Sequence, residues 1–374
     1  MKTMTIFGTR PEGIKMAPLV LELERDEEIE NIIVNTAQHR EMLDQVLQLF
    51  EIIPNYDLQS MEAGQTLEVL TNKIINGISE LLENEQPNLV YVHGDTTTTF
   101  AAAYAAFLKK IPVAHVEAGL RTNTLYSPFP EEGNRRLVSR IATEHFAPTI
   151  ANRDALVKEN IDATSIHVVG NTVIDALHYI QKKNVVMDRF IQPLLHNRMK
   201  TILLTTHRRE NLNELESVFD AIEHIVTYEE NVQVIFPVHK NPHVQAIAKR
   251  KLGSDVNIHL VDPLDYQTFV QVMMNADVIV TDSGGIQEEA PAIGKSVVVV
   301  RETTERPEGI LSGHLHLTGT SKERIVESIR HILSQTEDRT TLPNPFGSGD
   351  SAKKIVEITK RKYSGVVKVK EFAH

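Results

Sequence analysis

Two short segments of the sequence place a histidine two residues before a carboxylate, each directly after an apolar run. The first pair is His93 and Asp95, and the second is His115 and Glu117. If these runs are neighbouring strands, the side chains could hold a metal ion, or the two carboxylates could transfer protons. No further cluster of histidines and acids completes a coordination shell, so we expect no metal. Ordinary hydrogen-bonded side chains at strand ends are the third alternative.

A glycine-rich segment further along the chain favours phosphate binding. It follows the apolar run DVIVTD and consists of Ser283, Gly284 and Gly285, which would open a helix. Unpaired backbone N–H groups at a helix N-terminus attract anions, and glycine lets a phosphate approach the backbone closely. Glu289, about a turn inside the helix, could accept hydrogen bonds from ribose hydroxyls. A plain turn would have the same local pattern.

The segment GTRPEGIK near the N-terminus nearly matches a nucleotide-triphosphate-binding loop. Gly8 and Gly13 have the spacing of that motif, but an isoleucine stands where its lysine should be, and the lysine comes one residue late and is followed by a methionine instead of Ser or Thr. Pro11 suits the start of a helix, and Arg10 and Lys15 add positive charge there. We therefore expect a strand end and a helix that present two cations, although solvated side chains at an ordinary turn are the alternative.

Further cations follow other apolar runs, although the protein has a net charge of −11. This charge argues against nucleic acid as a partner, but a local positive zone could still bind a diphosphate, whose oxygens pair strongly with Arg and Lys. Neighbouring glutamates could instead pair with the same arginines. The side chains of this zone are His207, Arg208, Arg209, Arg301 and Arg306, together with Arg10 and Lys15.

Short β-branched runs alternate with helical stretches along the whole chain, which indicates an α/β fold with parallel sheets. The pattern occurs twice, with a helical connector after residue 168 and a new series from Lys200. We therefore expect two doubly wound domains, residues 1–168 and 169–354, facing a cleft. The carboxyl ends of parallel strands share one edge, so the polar segments should converge on that cleft. The last helical stretch, residues 351–363, could belong to either domain.

The composition is that of a soluble globular protein, with 41% hydrophobic and 24% charged residues among 374. No run approaches the ~20 apolar residues of a membrane span, so we expect no membrane association. The sequence contains no cysteine, which excludes disulfides and thiol catalysis and fits a cytoplasmic enzyme. It also contains no G-x-G-x-x-G fingerprint for NAD, so we expect no cofactor.

Nine long motifs, in order along nearly the whole chain, resemble those of the bacterial non-hydrolysing UDP-N-acetylglucosamine 2-epimerases. They are GTRPEGIKMAP, HGDTTTTFAAA, HVEAGLR, YSPFPEEGNRR, GNTVIDAL, HRRENL, PVHKNP, TDSGGIQEEAP and RETTERPEG. The resemblance implies a glycosyltransferase-B-like fold of two Rossmann-like domains, with a C-terminal helix, about residues 355–374, that packs back on the first domain. It also implies interconversion of UDP-GlcNAc and UDP-ManNAc, usually by a homodimer, for cell-surface polysaccharide synthesis.

The resemblance also implies roles for particular residues. Its active-site groups correspond to Arg10, Lys15, Asp95, Glu117, Glu131 and His207. Its nucleotide contacts correspond to Leu264 and Phe269 for uracil, Ser283, Gly284 and Gly285 for the diphosphate, Glu289 for the ribose, and Arg306. We also expect Arg135, in the same segment as Glu131, to bind the substrate.

Some bacterial relatives bind a second, regulatory UDP-GlcNAc. Gln38, Arg208 and His239 are the candidate residues for such a site, but Glu41 and Gly64 stand where those relatives have Gln and Arg. Regulation of this kind is therefore left open. Residue 13 is commonly Ala in the family, so Gly13 is not expected to bind phosphate.

Inversion of C2 of the sugar breaks a C–H bond that is barely acidic, because the carbon is not α to a carbonyl. The expected route is elimination: UDP leaves C1 as a base removes the C2 proton, and UDP adds back after reprotonation from the opposite face. Asp95, Glu117 and Glu131 are the candidate proton-transfer groups. His207 would help the diphosphate to leave, and Lys15 would orient or discharge a carboxylate.

Several alternatives share these features. A hydrolysing relative would release ManNAc and UDP, and a related 2-epimerase would act on another UDP-amino sugar. A glycosyltransferase of the same architecture would need an acceptor, and a sensor would bind the nucleotide sugar without turnover. Which carboxylate acts on which face of the sugar is also left open.

Overall fold

The computed structural model describes residues 1–37, 40–62, 64–122, 124–183, 188–206, 214–335 and 344–364. Within these ranges, no helix is both long and apolar enough to cross a membrane. The chain separates into two compact units. The first consists of Met1–Ala176 and the chain from Gly347 onward, and the second of Leu177–Phe346.

The first unit is built from alternating strands and helices. Its strands are β1 (Lys2–Phe7), β2 (Glu30–Asn35), β3 (Tyr56–Asp57), β4 (Leu89–His93), β5 (Val113–Val116), β6 (Glu144–Ala147) and β7 (Ile166–Val168). Its helices are α1 (Arg10–Glu24), α2 (Arg40–Phe50), α3 (Leu67–Glu85), α4 (Thr97–Leu108), α5 (Glu131–Ile141) and α6 (Ile150–Lys158). Helix α7 (Thr172–Lys182) begins in this unit and ends in the second.

The second unit repeats the alternation. Its strands are β8 (Lys200–Thr205), β9 (Val232–Pro237), β10 (Ile258–Val261), β11 (Val278–Thr281), β12 (Val297–Val299) and β13 (Leu315–Leu317). Its helices are α8 (Gln192–Leu195), α9 (Leu215–Tyr228), α10 (Pro242–Leu252), α11 (Tyr266–Asn275), α12 (Gly284–Ala292), α13 (Pro307–Leu311) and α14 (Lys322–Ser334). The chain then returns to the first unit with α15 (Ser351–Tyr363).

Both sheets have the Rossmann strand order. The first runs β3-β2-β1-β4-β5-β6-β7, the second runs β10-β9-β8-β11-β12-β13, and the strand pairs are parallel. In each, the chain starts in the middle, builds out to one edge and then crosses to the other side, which defines a doubly wound sheet. The expected architecture of two parallel-sheet α/β domains is confirmed, and it is consistent with a glycosyltransferase-B-like fold.

Helices cover both faces of the first sheet. Val90 and Val92 of β4 lie in one apolar core with side chains of α3 and α4. Tyr91 lies between them on the strand, and its hydroxyl donates a hydrogen bond of 2.7 Å to Oγ1 of Thr359 in α15. Because successive side chains of a strand point to opposite faces, this alternation requires helices on both sides. The near-continuous apolar runs in the sequence have this origin.

The second unit has an apolar core of its own. Ile202 and Leu204 of β8 and Val278 and Val280 of β11 belong to it, together with side chains of α9, α10 and α14. The central strands of both sheets therefore have buried side chains along their length. Buried polar side chains such as Thr3, Thr5 and Gln233 also lie within these strands.

Helix α15 is held in the first unit, where it packs against α1. It begins at Ser351 rather than near residue 355, because the Asp175 carboxylate accepts hydrogen bonds from the N–H groups of Ser351 and Ala352, at 3.2 and 2.9 Å. Lys362 near its end contacts the buried carboxylate of Glu144 at 2.7 Å. Residues from 365 onward lie outside the described residues.

The two units divide at Ala176 and Gly347 rather than at residues 168 and 354. The start of α7 is bound into the first unit, since Asn171 contacts Glu117 and Asp175 caps α15. Three strands were not predicted from the β-branched runs of the sequence. They are β3, β6 and β13, which have two, four and three residues.

Candidate active site

The polar segments identified in the sequence lie at the carboxyl ends of the central strands. In the first sheet the strand order reverses between β1 and β4, which are followed by residues 8–9 and 94–95. In the second sheet it reverses between β8 and β11, and residues 282–283 follow β11. Ligands of doubly wound sheets bind at this reversal of strand order. Each unit therefore presents candidate residues where its topology favours a ligand.

Glu117, directly after β5, brings several of the expected residues together. Its carboxylate pairs with Nζ of Lys15 from α1, and Nδ2 of Asn171 donates to its Oε2 at 2.9 Å. Nε2 of His93 lies 3.8 Å from the same oxygen. Glu117 has a φ of 61°, a left-handed conformation that is strained for a residue other than glycine and is concentrated at functional sites. One carboxylate is thus held in a fixed position beside a cation.

Asp95, which follows β4, is paired with a different cation. Its Oδ2 lies 2.7 Å from Nη2 of Arg135, whose side chain is buried. Burial raises the pKa of Asp95, the Arg135 guanidinium lowers it, and the carboxylates of Glu117 and Glu131 raise it again. Because both carboxylates act on Asp95, Glu117 and Glu131 each lie within electrostatic reach of Asp95. Closely spaced carboxylates in different environments are suited to proton transfer.

The two glutamates that begin α5 have different surroundings. Glu132 is fully buried, and its carboxylate accepts hydrogen bonds from the Thr122 N–H at 3.0 Å and from Nε of Arg136 at 2.5 Å. Oε2 of Glu131 is also buried, but no residue in the described ranges donates a hydrogen bond to it. Since a buried polar atom without a partner is costly, Glu131 is the glutamate available to a ligand, whereas Glu132 stabilises the loop before α5.

His93 and His115 are buried at the ends of β4 and β5. Burial lowers the pKa of His93 to about 4 and that of His115 to about 3, so both rings are neutral near pH 7. Nε2 of His115 lies 2.7 Å from the carbonyl oxygen of Gly94, and because that oxygen can only accept, Nε2 carries the proton. His115 therefore fixes the backbone that carries Asp95. In the ranges that the structure describes, no group of three or more His, Asp or Glu side chains could hold a metal ion.

The glycines of the GTRPEGIK segment lie in close contact with neighbouring side chains. A Cβ on Gly8 would overlap the hydroxyl of Thr36, which lies just after β2, and a Cβ on Gly13 would overlap the side chain of Leu43 in α2. Gly13 lies inside α1, so its spacing from Gly8 has no connection with phosphate.

The start of α1 positions the two cations of this segment. Arg10 is its first residue and is partly buried, and Lys15 lies further along the helix, where it reaches Glu117. Thr9 is the N-cap: its N–H donates to Oε2 of Glu12 at 2.8 Å, and its hydroxyl accepts from the Glu12 N–H. This reciprocal pair is a capping box, with Pro11 in the first turn.

In the second unit, the start of α12 combines backbone donors with a cation. Ser283 is the N-cap, and Gly284 and Gly285 are the first two helical residues. The Arg306 guanidinium lies over Gly284, where a Cβ would be 2.7 Å from its Nη1, and Nε of Arg306 donates to the buried Glu288 at 2.8 Å. A Cβ on Gly285 would meet only an ordinary contact at 3.7 Å. Helix N-termini and guanidinium groups both attract anions.

The residues expected to contact the nucleoside lie on α11 and α12. Glu289 of α12 is buried, and its Oε1 accepts a hydrogen bond of 2.6 Å from the hydroxyl of Tyr266. Tyr266 begins α11, Phe269 follows on the same helix and is partly buried, and Leu264 precedes the helix. One hydrogen bond therefore ties the candidate ribose residue to the helix that carries the candidate uracil residue.

Known proteins are similar in sequence and structure over almost the full length of the chain. The family model described as UDP-N-acetylglucosamine 2-epimerase matches residues 21–360. The chain is 48% identical over 370 residues to the UDP-N-acetylglucosamine 2-epimerase of Salmonella typhimurium, covering 96% of this chain and 98% of that one. It is 49% identical over 363 residues to the Bacillus subtilis protein of the same name, covering 96% and 94%.

A solved structure gives the same result. The crystal structure of UDP-GlcNAc 2-epimerase from Neisseria meningitidis bound to UDP-GlcNAc is similar with a TM-score of 0.89 and 44% identity, covering 96% of this chain and 100% of that one. The chain belongs to the UDP-N-acetylglucosamine 2-epimerase family. The resemblance stated from the motifs is thereby confirmed.

Some residues expected for a UDP-N-acetylglucosamine 2-epimerase lie outside the described residues. These are His207, Arg208 and Gln38, and the structure gives no account of the side chain of Glu41. His239 is described: it is exposed beyond β9, and its Nδ1 accepts a hydrogen bond of 3.1 Å from the N–H of Asn241. The regulatory site stays a prediction.

Three residues that contact the candidate site of this family member were not named from the sequence. Glu12 could have been found, because Thr9 and Glu12 fit the Thr-x-x-Glu pattern of a capping box before an apolar helix. Asn171 lies 54 positions from its partner Glu117, and Tyr266 lies 23 from Glu289. No local pattern connects residues so far apart.

Proposed function

We propose that this protein interconverts UDP-N-acetylglucosamine and UDP-N-acetylmannosamine by inverting C2 of the sugar. The observation that carries the proposal is the carboxylate of Asp95 with two further carboxylates, Glu117 and Glu131, within its electrostatic reach in the first unit. Two of them are paired with cations, Lys15 and Arg135. Membership of the family and the similarity to an enzyme structure that contains UDP-GlcNAc support the same substrate.

The second unit is proposed to hold the UDP part of the substrate. The diphosphate would bind the N–H groups of Gly284 and Gly285 and the charge of Arg306, which together neutralise a leaving group. Glu289 would accept a hydrogen bond from the ribose, and Phe269 would contact the uracil. His207 and Arg10 remain proposed contacts of the diphosphate. The cleft expected between the two domains also remains a prediction.

The proposed reaction is an elimination followed by an addition. UDP leaves with the electron pair of the C1–O bond while a carboxylate takes the C2 proton, and a double bond forms between C1 and C2. A proton is then delivered to C2 from the opposite face, and the same UDP adds to C1. One proton is lost and one is gained, so the sequence balances without an oxidant or a reductant.

The environments of the carboxylates fit the two proton transfers. The elimination requires a charged group that takes the C2 proton, the return step requires a protonated group that delivers a proton to the opposite face, and the roles exchange in the reverse direction. Glu117 is paired with Lys15, which favours its charged form, whereas burial raises the pKa of Asp95. Glu131 has a buried oxygen that no described residue satisfies. The assignment of each carboxylate to a face of the sugar stays open.

The proposal is tested by incubating the protein with UDP-GlcNAc and following the products by NMR. We expect UDP-ManNAc to appear and to reach an equilibrium ratio, with no free sugar. ManNAc released in step with UDP would support the hydrolysing alternative instead. Binding of UDP-GlcNAc without turnover would support a sensor, or a glycosyltransferase that lacks its acceptor.

Glu131→Gln provides the matched variant for this assay. Because no described group donates to Oε2 of Glu131, the amide should be accepted without loss of the fold, while a proton-transfer group is removed. We expect kcat to fall by roughly 10²-fold or more. Unchanged kcat in this variant would remove Glu131 from the proposed machinery.

The protein is further proposed to act in the cytoplasm as a homodimer, in the synthesis of cell-surface polysaccharide. The homodimer and the role in polysaccharide synthesis rest on the resemblance to the bacterial family, and the cytoplasmic location rests on the absence of cysteine.

A further inference from the structure

Glu12, in the first turn of α1, is a buried carboxylate with four hydrogen-bond donors around it. Its Oε2 accepts from the N–H groups of Gly8 and Thr9, at 3.0 and 2.8 Å. Its Oε1 lies 2.6 Å from the hydroxyl of Thr96 and 3.0 Å from that of Thr99. The residue is 2% exposed, and none of these donors is a cation. Burial raises the pKa of Glu12, and the hydrogen bonds oppose that effect.

The four donors come from two segments, the loop before α1 and the N-cap and first turn of α4. Gly8 and Thr9 join β1 to α1, and Thr96 is the N-cap of α4, which follows β4. These strands are neighbours at the reversal of strand order in the first sheet. A capping box requires only the contact with Thr9, so the two threonine hydroxyls are an additional connection. Glu12 therefore links the start of α1 to the start of α4.

Each linked segment carries a residue of the proposed machinery. Helix α1 carries Arg10 and Lys15, and Lys15 pairs with Glu117. Asp95 immediately precedes Thr96 and pairs with Arg135. A shift of α1 relative to α4 would therefore move Lys15, the cation paired with Glu117, relative to Asp95.

We propose that Glu12 is a positioning residue, which fixes Lys15 and Asp95 relative to each other by joining the two segments. The inference rests on the proposed epimerase function, because it assigns Glu12 a part in that reaction. Small displacements of reacting groups are costly: a misplacement of about 1 Å can lower a rate ~10²-fold. Glu12 would thus influence the rate without touching the substrate.

The chemistry of the four donors predicts which replacements are tolerated. The backbone donors at Oε2 are fixed, so that oxygen must remain an acceptor. The hydroxyls at Oε1 can rotate and accept instead of donate. Glu12→Gln can therefore keep the connection, with its amide oxygen toward the backbone and its amide NH₂ toward Thr96 and Thr99. Glu12→Ala removes the acceptor of the Gly8 and Thr9 N–H groups and breaks their connection to Thr96.

The test compares kcat for UDP-GlcNAc epimerisation in Glu12→Ala, Glu12→Gln and Thr149→Ala, with the melting temperature of each variant measured in parallel. Thr149 is the matched control, since it forms the reciprocal capping box of α6 with Asn152 at 3.2 Å in each direction. We expect Glu12→Ala to lose at least about 10-fold in kcat per folded molecule, and Glu12→Gln to stay within ~3-fold of the wild type. Thr149→Ala should lose thermal stability and keep its kcat.

Three results would overturn the proposal: wild-type kcat in Glu12→Ala, an equal loss in Glu12→Gln, or an equal loss in Thr149→Ala. If Glu12→Ala does not fold, Thr99→Val takes its place, because it keeps the side-chain volume and removes one donor to Glu12. Its kcat should then fall, and an unchanged kcat would count against the proposal. Absence of epimerisation by the wild-type protein would instead refute the proposed function, so the two failures are distinguishable.

Discussion

Asp95 and Glu117 follow adjacent strands, and each is paired with a cation from a helix. Lys15 comes from α1 and Arg135 from α5. The two positive charges offset the repulsion between the two neighbouring carboxylates. At the scale of single residues, the proposed proton transfers therefore depend as much on these cations as on the carboxylates.

Replacing Arg135 by alanine is expected to move one limb of the pH profile of kcat/KM to higher pH. The guanidinium lowers the pKa of Asp95, so its removal leaves burial and the neighbouring carboxylates to raise it. The limb governed by Asp95 should shift upward by about one unit or more. The measurement is the initial rate of epimerisation across the pH range.

Arg136→Ala is the control for this shift. Arg136 lies on the same helix but pairs with Glu132 and not with Asp95, so its removal should leave both limbs in place. A profile of Arg135→Ala that has the wild-type shape, whatever its height, would show that Arg135 does not tune Asp95.

At the scale of single residues, some contacts of the candidate site could be predicted from the sequence and others could not. We expected three residues to lie together because each follows a strand of one parallel sheet or lies on the helix after such a strand: Asp95, Glu117 and Lys15. The structure brings them into contact or electrostatic reach. The capping box that contains Glu12 could be predicted from the sequence, but the hydrogen bond between Glu12 and Thr96 could not. That hydrogen bond depends on how two segments pack together, and the spacing of residues along the chain does not predict such packing.

Helices α1 and α12 both begin at the reversal of strand order, yet their N-termini differ. At α1 the capping box of Thr9 and Glu12 already supplies an acceptor from the protein itself. At α12 no side-chain hydrogen bond caps the helix at Ser283, and Arg306 adds a positive charge. At the scale of elements, the N-terminus of α12 is therefore suited to binding an external anion, whereas α1 contributes side chains to the candidate site. The near-match of its first loop to a phosphate motif is accidental.

Alanine at Gly284 or Gly285 is expected to weaken UDP binding by at least about 10-fold, for different reasons. A Cβ on Gly284 would press on the Arg306 guanidinium at 2.7 Å, so this variant should also melt at a lower temperature. A Cβ on Gly285 meets only ordinary contact, so its melting temperature should not fall, while the methyl group would obstruct a phosphate. Calorimetric titration with UDP and thermal melts measure both effects. Wild-type UDP affinity in Gly285→Ala would place the diphosphate elsewhere.

The elements themselves were predictable where apolar runs were long. Strands β4, β8 and β11 have this character, with flanking polar residues that mark their ends. Strand β6 starts with Glu144 and His145, whose polarity conceals a buried strand, and Glu144 is stabilised by partners from β7 and α15. Strands β3 and β13 are too short for a periodic signal. Pairing with neighbours, and not local sequence, creates these strands.

At the scale of the whole molecule, the chain repeats one topology and then returns to its first unit. The repetition was visible in the sequence as two series of strand–helix alternation. The return of α15 was not decided by its own pattern, which would fit either unit. It depends on Tyr91, Glu144 and Asp175, which supply polar partners for the helix from distant parts of the first unit.

The central claim for the whole molecule is that epimerisation breaks and remakes the C2–H bond of the sugar. It is tested most directly by incubating the protein with UDP-GlcNAc in D₂O and measuring deuterium at C2 of the products. The account predicts UDP-ManNAc that carries deuterium at C2, and the same label in recovered UDP-GlcNAc after prolonged incubation. UDP-ManNAc formed with protium at C2 would contradict it.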